Sequence, residues 1–122
     1  MKLGTKTYYK KRADALCSKI VRMRDACQWC GRRRSVQLQC AHVVGRNNHT
    51  LRFDEKNLLC LCAGCHRKAH DDPPEFITWF QKKYPAKMEY IMQNKNKITR
   101  RSAVDYKELV ETLKKELKRY EA

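Results

Sequence analysis

No apolar run in this 122-residue chain approaches the length of a bilayer span, so a transmembrane helix is excluded. The basic N-terminus has no apolar core or small-residue cleavage site behind it, and a secretory signal is not expected. Acidic residues are scarce: 13 Asp and Glu stand against 28 Lys and Arg, a net charge of +15. That deficit excludes an acidic-surface protein and points to a polyanionic partner. The cysteine count, seven, is odd, which argues against a disulfide framework and for reduced thiols in an intracellular compartment. Internal repeats and low-complexity tracts are missing. The length allows one compact domain, or one domain with a helical appendage. A core this small often leans on a bound metal.

The positive charge is uneven. Residues 1–53 carry 13 basic against 2 acidic side chains, residues 54–102 carry 10 against 6, and residues 103–122 carry 5 against 5. Basic groups crowded into the first part repel one another unless a polyanion offsets them. Lys10, Lys11, Arg12, Arg32, Arg33 and Arg34 are therefore the expected contacts to the phosphates of a polyanion.

Hydrophobic spacing divides the chain into a basic N-terminal helix (1–26), a central unit (27–72) and a C-terminal helical region (73–122). Ala13, Leu16, Cys17, Ile20 and Val21 recur at helical spacing and predict a helix over 5–25. Val36 to Cys40 alternates and predicts a strand; Leu58 to Leu61, ending at Cys62, predicts a second; Ala63 to His70 predicts a short helix. Two strands and one helix make a ββα unit. Asp72-Pro73-Pro74-Glu75 reads as a helix start with Asp72 as cap and Glu75 completing a capping box. Phe76, Trp79, Phe80 and Tyr84 then form an aromatic face that belongs to the core. Pro85 restarts a helix to about Asn94, residues 94–101 form a basic connector, and Ser102 with Asp105 caps the last helix. Its stripe of Tyr106, Leu109, Val110, Leu113, Leu117 and Tyr120 either packs on the N-terminal helix or forms a homodimer contact.

Two constellations carry chemistry. Cys27-x2-Cys30 and Cys62-x2-Cys65 are paired knuckles suited to tetrahedral, structural Zn²⁺. Cys17, Cys40 and Cys60 read as small buried residues, although Cys60 competes with Cys62 as a ligand. The second set is His42, Asn57, His66 and His70. His66 and His70, four residues apart, share one helix face and can chelate one divalent ion. His42, at the end of the first strand, can face it.

His42…Asn57…His66-x3-His70 between two CxxC knuckles resembles the HNH endonuclease (ββα-metal) motif. Over most of the chain the match is closer still to the phage NinG (Rap) recombination nucleases. It covers Arg12-Ala-Asp14, Ile20 to Asp25, His42-x3-Arg46 and Leu51-Arg-Phe-Asp54 through Asn57, besides the knuckles and the amphipathic tail. The resemblance implies an α+β fold, a zinc-stapled ββα-metal core with flanking α-helices. It also implies an endonuclease hydrolysing phosphodiester bonds in branched or double-stranded DNA, in the cytoplasm of a phage host or other bacterium. His42 would be the general base and Asn57 would hold the loop that orients it. His66 and His70 would hold a catalytic divalent cation (Mg²⁺, Mn²⁺, Ni²⁺ or Zn²⁺), and Arg46 a phosphate oxygen.

Two departures from the family pattern stand out. Ala41 occupies the position where many HNH enzymes carry a ligand, and His66 stands where NinG-like proteins usually have Asn. Water, phosphate oxygens or His49 would complete the coordination sphere. Ala41 favours a rival reading, a zinc DNA-binding module without catalysis, and the intact histidine–asparagine set argues against it. General or sequence-specific nicking is a further alternative. An interaction protein built on the last helix leaves the basic first part unexplained.

Overall fold

Strand β2 (Leu58–Cys62) is buried along its whole length, as a continuous apolar run requires. In the computed structural model, which describes residues 4–33 and 37–122, it lies between two cores. Leu58 and Cys60 pack with Ala13, Leu16, Cys17, Ile20 and Val21 of helix α1 (Lys6–Arg22) and with Tyr106, Val110 and Leu113 of helix α5 (Ala103–Glu121). Leu59 and Leu61 pack with Phe76 and Phe80 of helix α3 (Pro73–Lys83) and with Met88 and Ile91 of helix α4 (Pro85–Asn94). The period-two alternation of a strand sends successive side chains to opposite cores.

Strand β1 (Leu38–His42) pairs antiparallel with β2, from Leu38 opposite Cys62 to His42 opposite Leu58. This corrects the expected strand over 36–40, of which Val36 lies outside the described residues. The partner sets the limits: a 3-10 turn at Glu55–Asn57 delays β2 until Leu58, and the residue facing Leu58 is His42. Helix α2 (Ala63–Asp71) follows β2 directly, and the mixed α+β architecture matches the expected class.

A two-stranded sheet has two unpaired edges. On β2, Cys60 donates its N–H to Gln28 Oε1 (2.7 Å) and accepts from the Gln28 N–H (2.8 Å), while Arg24 Nη1 donates to the Leu58 carbonyl (2.9 Å). These bonds explain why α1 ends at Arg22, short of the expected residue 25. Asp25 turns into the left-handed region (φ 66°), which directs the next residues across the strand edge.

Thr5 caps α1, and Ser102 and Asp105 form the expected capping box of α5. The box expected at α3 is half made. Asp72 accepts from the Glu75 N–H, but the Asp72 N–H is already bonded to the Lys68 carbonyl (2.8 Å), and Glu75 pairs with Lys68 instead. The α5 stripe packs on α1, with Leu109 and Leu117 flanking the core and Tyr120 exposed. Its buried members are therefore not free for a coiled-coil arm or a dimer contact. Among the described residues no helix is long and apolar enough to cross a membrane. Leu113→Ala is expected to lower the stability of the whole protein by about 2–4 kcal/mol in chemical denaturation, with α1 and α5 melting together.

Candidate functional site

The Sγ atoms of Cys27, Cys30, Cys62 and Cys65 lie within 4.8 Å of one another, close enough to share one metal ion. Cys62 is the N-cap of α2 and accepts the Cys65 N–H (3.4 Å), while Cys27 accepts the Cys30 N–H (3.5 Å). Burial opposes ionisation of Cys27, yet the N–H groups of Cys30, Cys62 and Trp29 bring its pKa down to about 7. Burial and the neighbouring thiols push Cys65 up. Four thiolates cannot share this space without a cation, and the donor set is the one a closed zinc site uses. Cys60 is fully buried in the α1–α5 core and takes no part, so Cys62 is the fourth member. Cys17 is buried as expected, whereas Cys40 is half-buried and lines the cleft described next. Trp29, inside the first knuckle, stacks on Trp79 of α3 at 5.1 Å and braces the cluster.

A cleft of about 790 Å³ runs along β1, between α1 and α2. His42, Arg46, His66 and His70 all line it, with Asp14 and Ser18 of α1. Asn57 lies beneath, fully buried. Its Oδ1 accepts from the Val44 N–H (2.8 Å), and its Nδ2 donates to the carbonyls of Val44 (3.0 Å) and Leu51 (3.1 Å). It thus clamps the loop after β1 rather than touching His42. The direct partner of His42 is the Arg52 carbonyl, 3.1 Å from Nε2. A carbonyl only accepts, so Nε2 carries the proton and Nδ1 keeps its lone pair. Burial lowers the proton affinity of His42, and the charges of Arg46 and Arg52 act in the same direction.

The rings of His66 and His70 are 5.0 Å apart on consecutive turns of α2. His66 Nδ1 bonds to Gln39 Oε1 (2.7 Å), and burial with the nearby His70 disfavours its protonation. An oxygen acceptor on Nδ1 leaves Nε2 as a metal donor. Among the described residues, His42, His66 and His70 do not form a three-ligand cluster; the cysteine quartet alone does. His49, the candidate additional ligand, is exposed and does not line the cleft. It stands instead amid basic groups, its protonation disfavoured by burial and by Lys10, Arg52, Arg101 and Lys6.

Lys11, Arg12, Arg32 and Arg33 are exposed and Lys10 half-exposed; Arg34 lies outside the described residues. Asp14, Gln39 and Arg52 escaped the sequence reading. Asp14 and Arg52 belong to the segments Arg12-Ala-Asp14 and Leu51-Arg-Phe-Asp54, and Gln39 to an alternating strand, but only packing reveals what each touches. Asp14 is held below the usual carboxylate range: burial opposes this, and the guanidinium groups of Arg52 and Arg46 outweigh it.

These features define a small α+β protein of a particular class, in which a four-thiol cluster anchors the helix that walls a histidine-lined cleft. More narrowly, the chain belongs to the family described as Bacteriophage Lambda NinG protein, whose model matches residues 1–122. Comparisons with curated proteins and with solved structures found no match.

Replacing Cys27 or Cys65 by Ser is expected to abolish metal binding and unfold the β2–α2 region, read by elemental analysis and circular dichroism. Asn57→Ala strands the buried Leu51 carbonyl and the half-buried Val44 N–H and should destabilise by about 1–3 kcal/mol in thermal unfolding.

Proposed function

We propose that this protein is a metal-dependent DNA endonuclease of the HNH type, acting on branched or double-stranded DNA, with structural Zn²⁺ in the cysteine quartet. The observation that carries the reading is the shared cleft. It gathers an imidazole with a free nitrogen, a pair of imidazoles on consecutive turns of one helix and an arginine, in a strongly basic protein. The strand–loop–strand–helix order, β1 to α2, is the order a ββα-metal core requires.

His42 Nδ1 is the general base that takes a proton from the attacking water. Its neutral form is the competent one, and its lowered proton affinity keeps that form populated at neutral pH. His66 and His70 fit a divalent cation, with Gln39 fixing the tautomer of His66. When bound, such an ion supplies positive charge to the scissile phosphate and the departing 3′ oxygen. Arg46, with its guanidinium largely exposed at the cleft, binds a phosphate oxygen. Asn57 holds the loop between these groups. The products carry 5′-phosphate and 3′-hydroxyl ends.

The test is cleavage of supercoiled plasmid and of a four-way junction with Mg²⁺, Mn²⁺ or Ni²⁺. His42→Ala should keep fold, zinc and DNA affinity and lose about 10²–10⁴-fold in rate. His66→Ala or His70→Ala should lose cleavage and regain part of it at higher metal concentration. A wild-type protein that cuts neither substrate with any ion leaves the zinc DNA-binding module, which Ala41 favours. The rate should fall as pH drops through the pKa of His42, below the ordinary histidine value of 6.5. DNA affinity should fall steeply with salt, and replacing Lys11 or Arg12 should weaken binding to all sequences alike.

A further inference from the structure

We propose that Asp14 is a positioning residue that ties the phosphate-binding arginine of the cleft to the general base, a role that rests on the nuclease reading above. One carboxylate contacts Arg46 directly and reaches His42 through Arg52. Asp14 Oδ2 accepts from Arg46 Nη2 (2.7 Å) and from Arg52 Nη2 (2.6 Å), and Oδ1 accepts from Arg52 Nε (3.1 Å). The Arg52 contact is a two-point fork, which fixes the guanidinium plane as well as its distance. Arg52 Nη1 also donates to the Arg46 carbonyl (3.3 Å), and the Arg52 carbonyl accepts from His42 Nε2 (3.1 Å). The path is continuous: α1, Asp14, the Arg52 side chain, the Arg52 backbone, His42. A branch leaves Asp14 for Arg46.

The arrangement suits positioning better than stability. The Arg46 side chain is 59% exposed, and an ion pair to so exposed a group contributes little to folding. The tether nonetheless determines where its guanidinium points. Without the carboxylate, the neighbouring guanidinium groups of Arg46 and Arg52 would repel each other, and Arg46 would turn to solvent. With it, Arg46 keeps donors free for a phosphate oxygen while its direction is held. Arg52, 12% exposed, has its side chain committed inward, so its effect on the reaction passes through His42. The sequence places this carboxylate sparingly: Asp14 is one of two acids in the first 53 residues.

Single-turnover cleavage of supercoiled plasmid with Mn²⁺, as a function of pH, tests the role. The groups that face His42 are the Arg52 carbonyl, the charges of Arg46, Asp14 and Arg52, and His66 and His70 across the cleft. Asp14→Asn should lower the rate about 10–100-fold, the scale of a small misplacement. It should also move the acid limb of the profile to lower pH, because the lost carboxylate had favoured the protonated imidazole. Asp14→Glu, which keeps the charge, should restore the acid limb and part of the rate. A merely structural aspartate would change melting and leave the single-turnover rate of the folded protein, measured on the plateau above the acid limb, unchanged. A folded Asp14→Asn protein with the wild-type rate and acid limb overturns the proposal. Should Asp14→Asn not fold, Arg52→Lys breaks the fork while keeping the charge; its rate must fall with the acid limb unmoved, and an unchanged rate overturns the proposal. His42→Ala is run alongside. If wild-type cleavage does not depend on His42, the nuclease reading fails and this one with it; if it does and Asp14→Asn is silent, only this proposal fails.

Discussion

Cys62 ends β2, caps α2 and supplies one of the four clustered thiols, all at one position in the chain. The rest of the molecule depends on that junction. A nine-residue helix has too few hydrogen bonds to hold its own start in water, and α2 has no buried residue of its own. The thiol cluster and the Cys65 N–H bond to Cys62 therefore fix where the helix begins. Since His66 and His70 follow Cys65 within two turns, the same constraint fixes which way their rings face. The knuckle at Cys27 and Cys30, packed through Trp29 on Trp79, carries that anchor to α3.

The sheet supplies the second half of the design by being small. Two strands leave two edges, and the protein treats them differently. The β2 edge is closed by Gln28 and Arg24, whose side chains and backbone take the hydrogen bonds a third strand would have made. Residues of β1 line the cleft, with α1 on one side and α2 on the other. Closing one side and leaving the other to helices gives the molecule a concave face along β1, and His42 lies at the end of the strand that borders it.

Electrostatics inside the cleft differ from those of the chain as a whole. A net charge of +15 gives the chain a long-range attraction for polyanions. Within the cleft, burial and the charges of Arg46 and Arg52 disfavour protonation of His42, so the histidine keeps a lone pair beside two guanidinium groups. The connector after α4 adds to the frame: Thr50 donates to the Lys97 carbonyl (2.7 Å), and Asn48 Nδ2 to that of Lys95 (2.8 Å). Tyr90 donates to Asp54 at the start of the turn before β2. The loop that carries Arg46 is thereby held from below by Asn57 and from the side by this connector.

Much of this was legible in the residues alone. The paired CxxC spacing identified the four thiols, and periodicity together with capping and proline signals located the α-helices and strands to within a few residues, though not the 3-10 turn at Glu55–Asn57, because these are local properties of the chain. The i, i+4 spacing put His66 and His70 on one face for the same reason. What periodicity could not supply was contact between segments far apart in sequence. Asp14 meets Arg46 and Arg52 across more than thirty residues, and Gln39 meets His66 across twenty-seven. Nor could it say that Cys40 would border the cleft while Cys60, directly opposite in the ladder, lies in the core, or that the α5 stripe would be spent on α1. Sequence determined the elements, the thiol quartet and the charge, since each follows from residue type and spacing. Tertiary structure decided the partners of His42, Arg46 and His66, since these depend on how twice-buried β2 sets the two cores against each other.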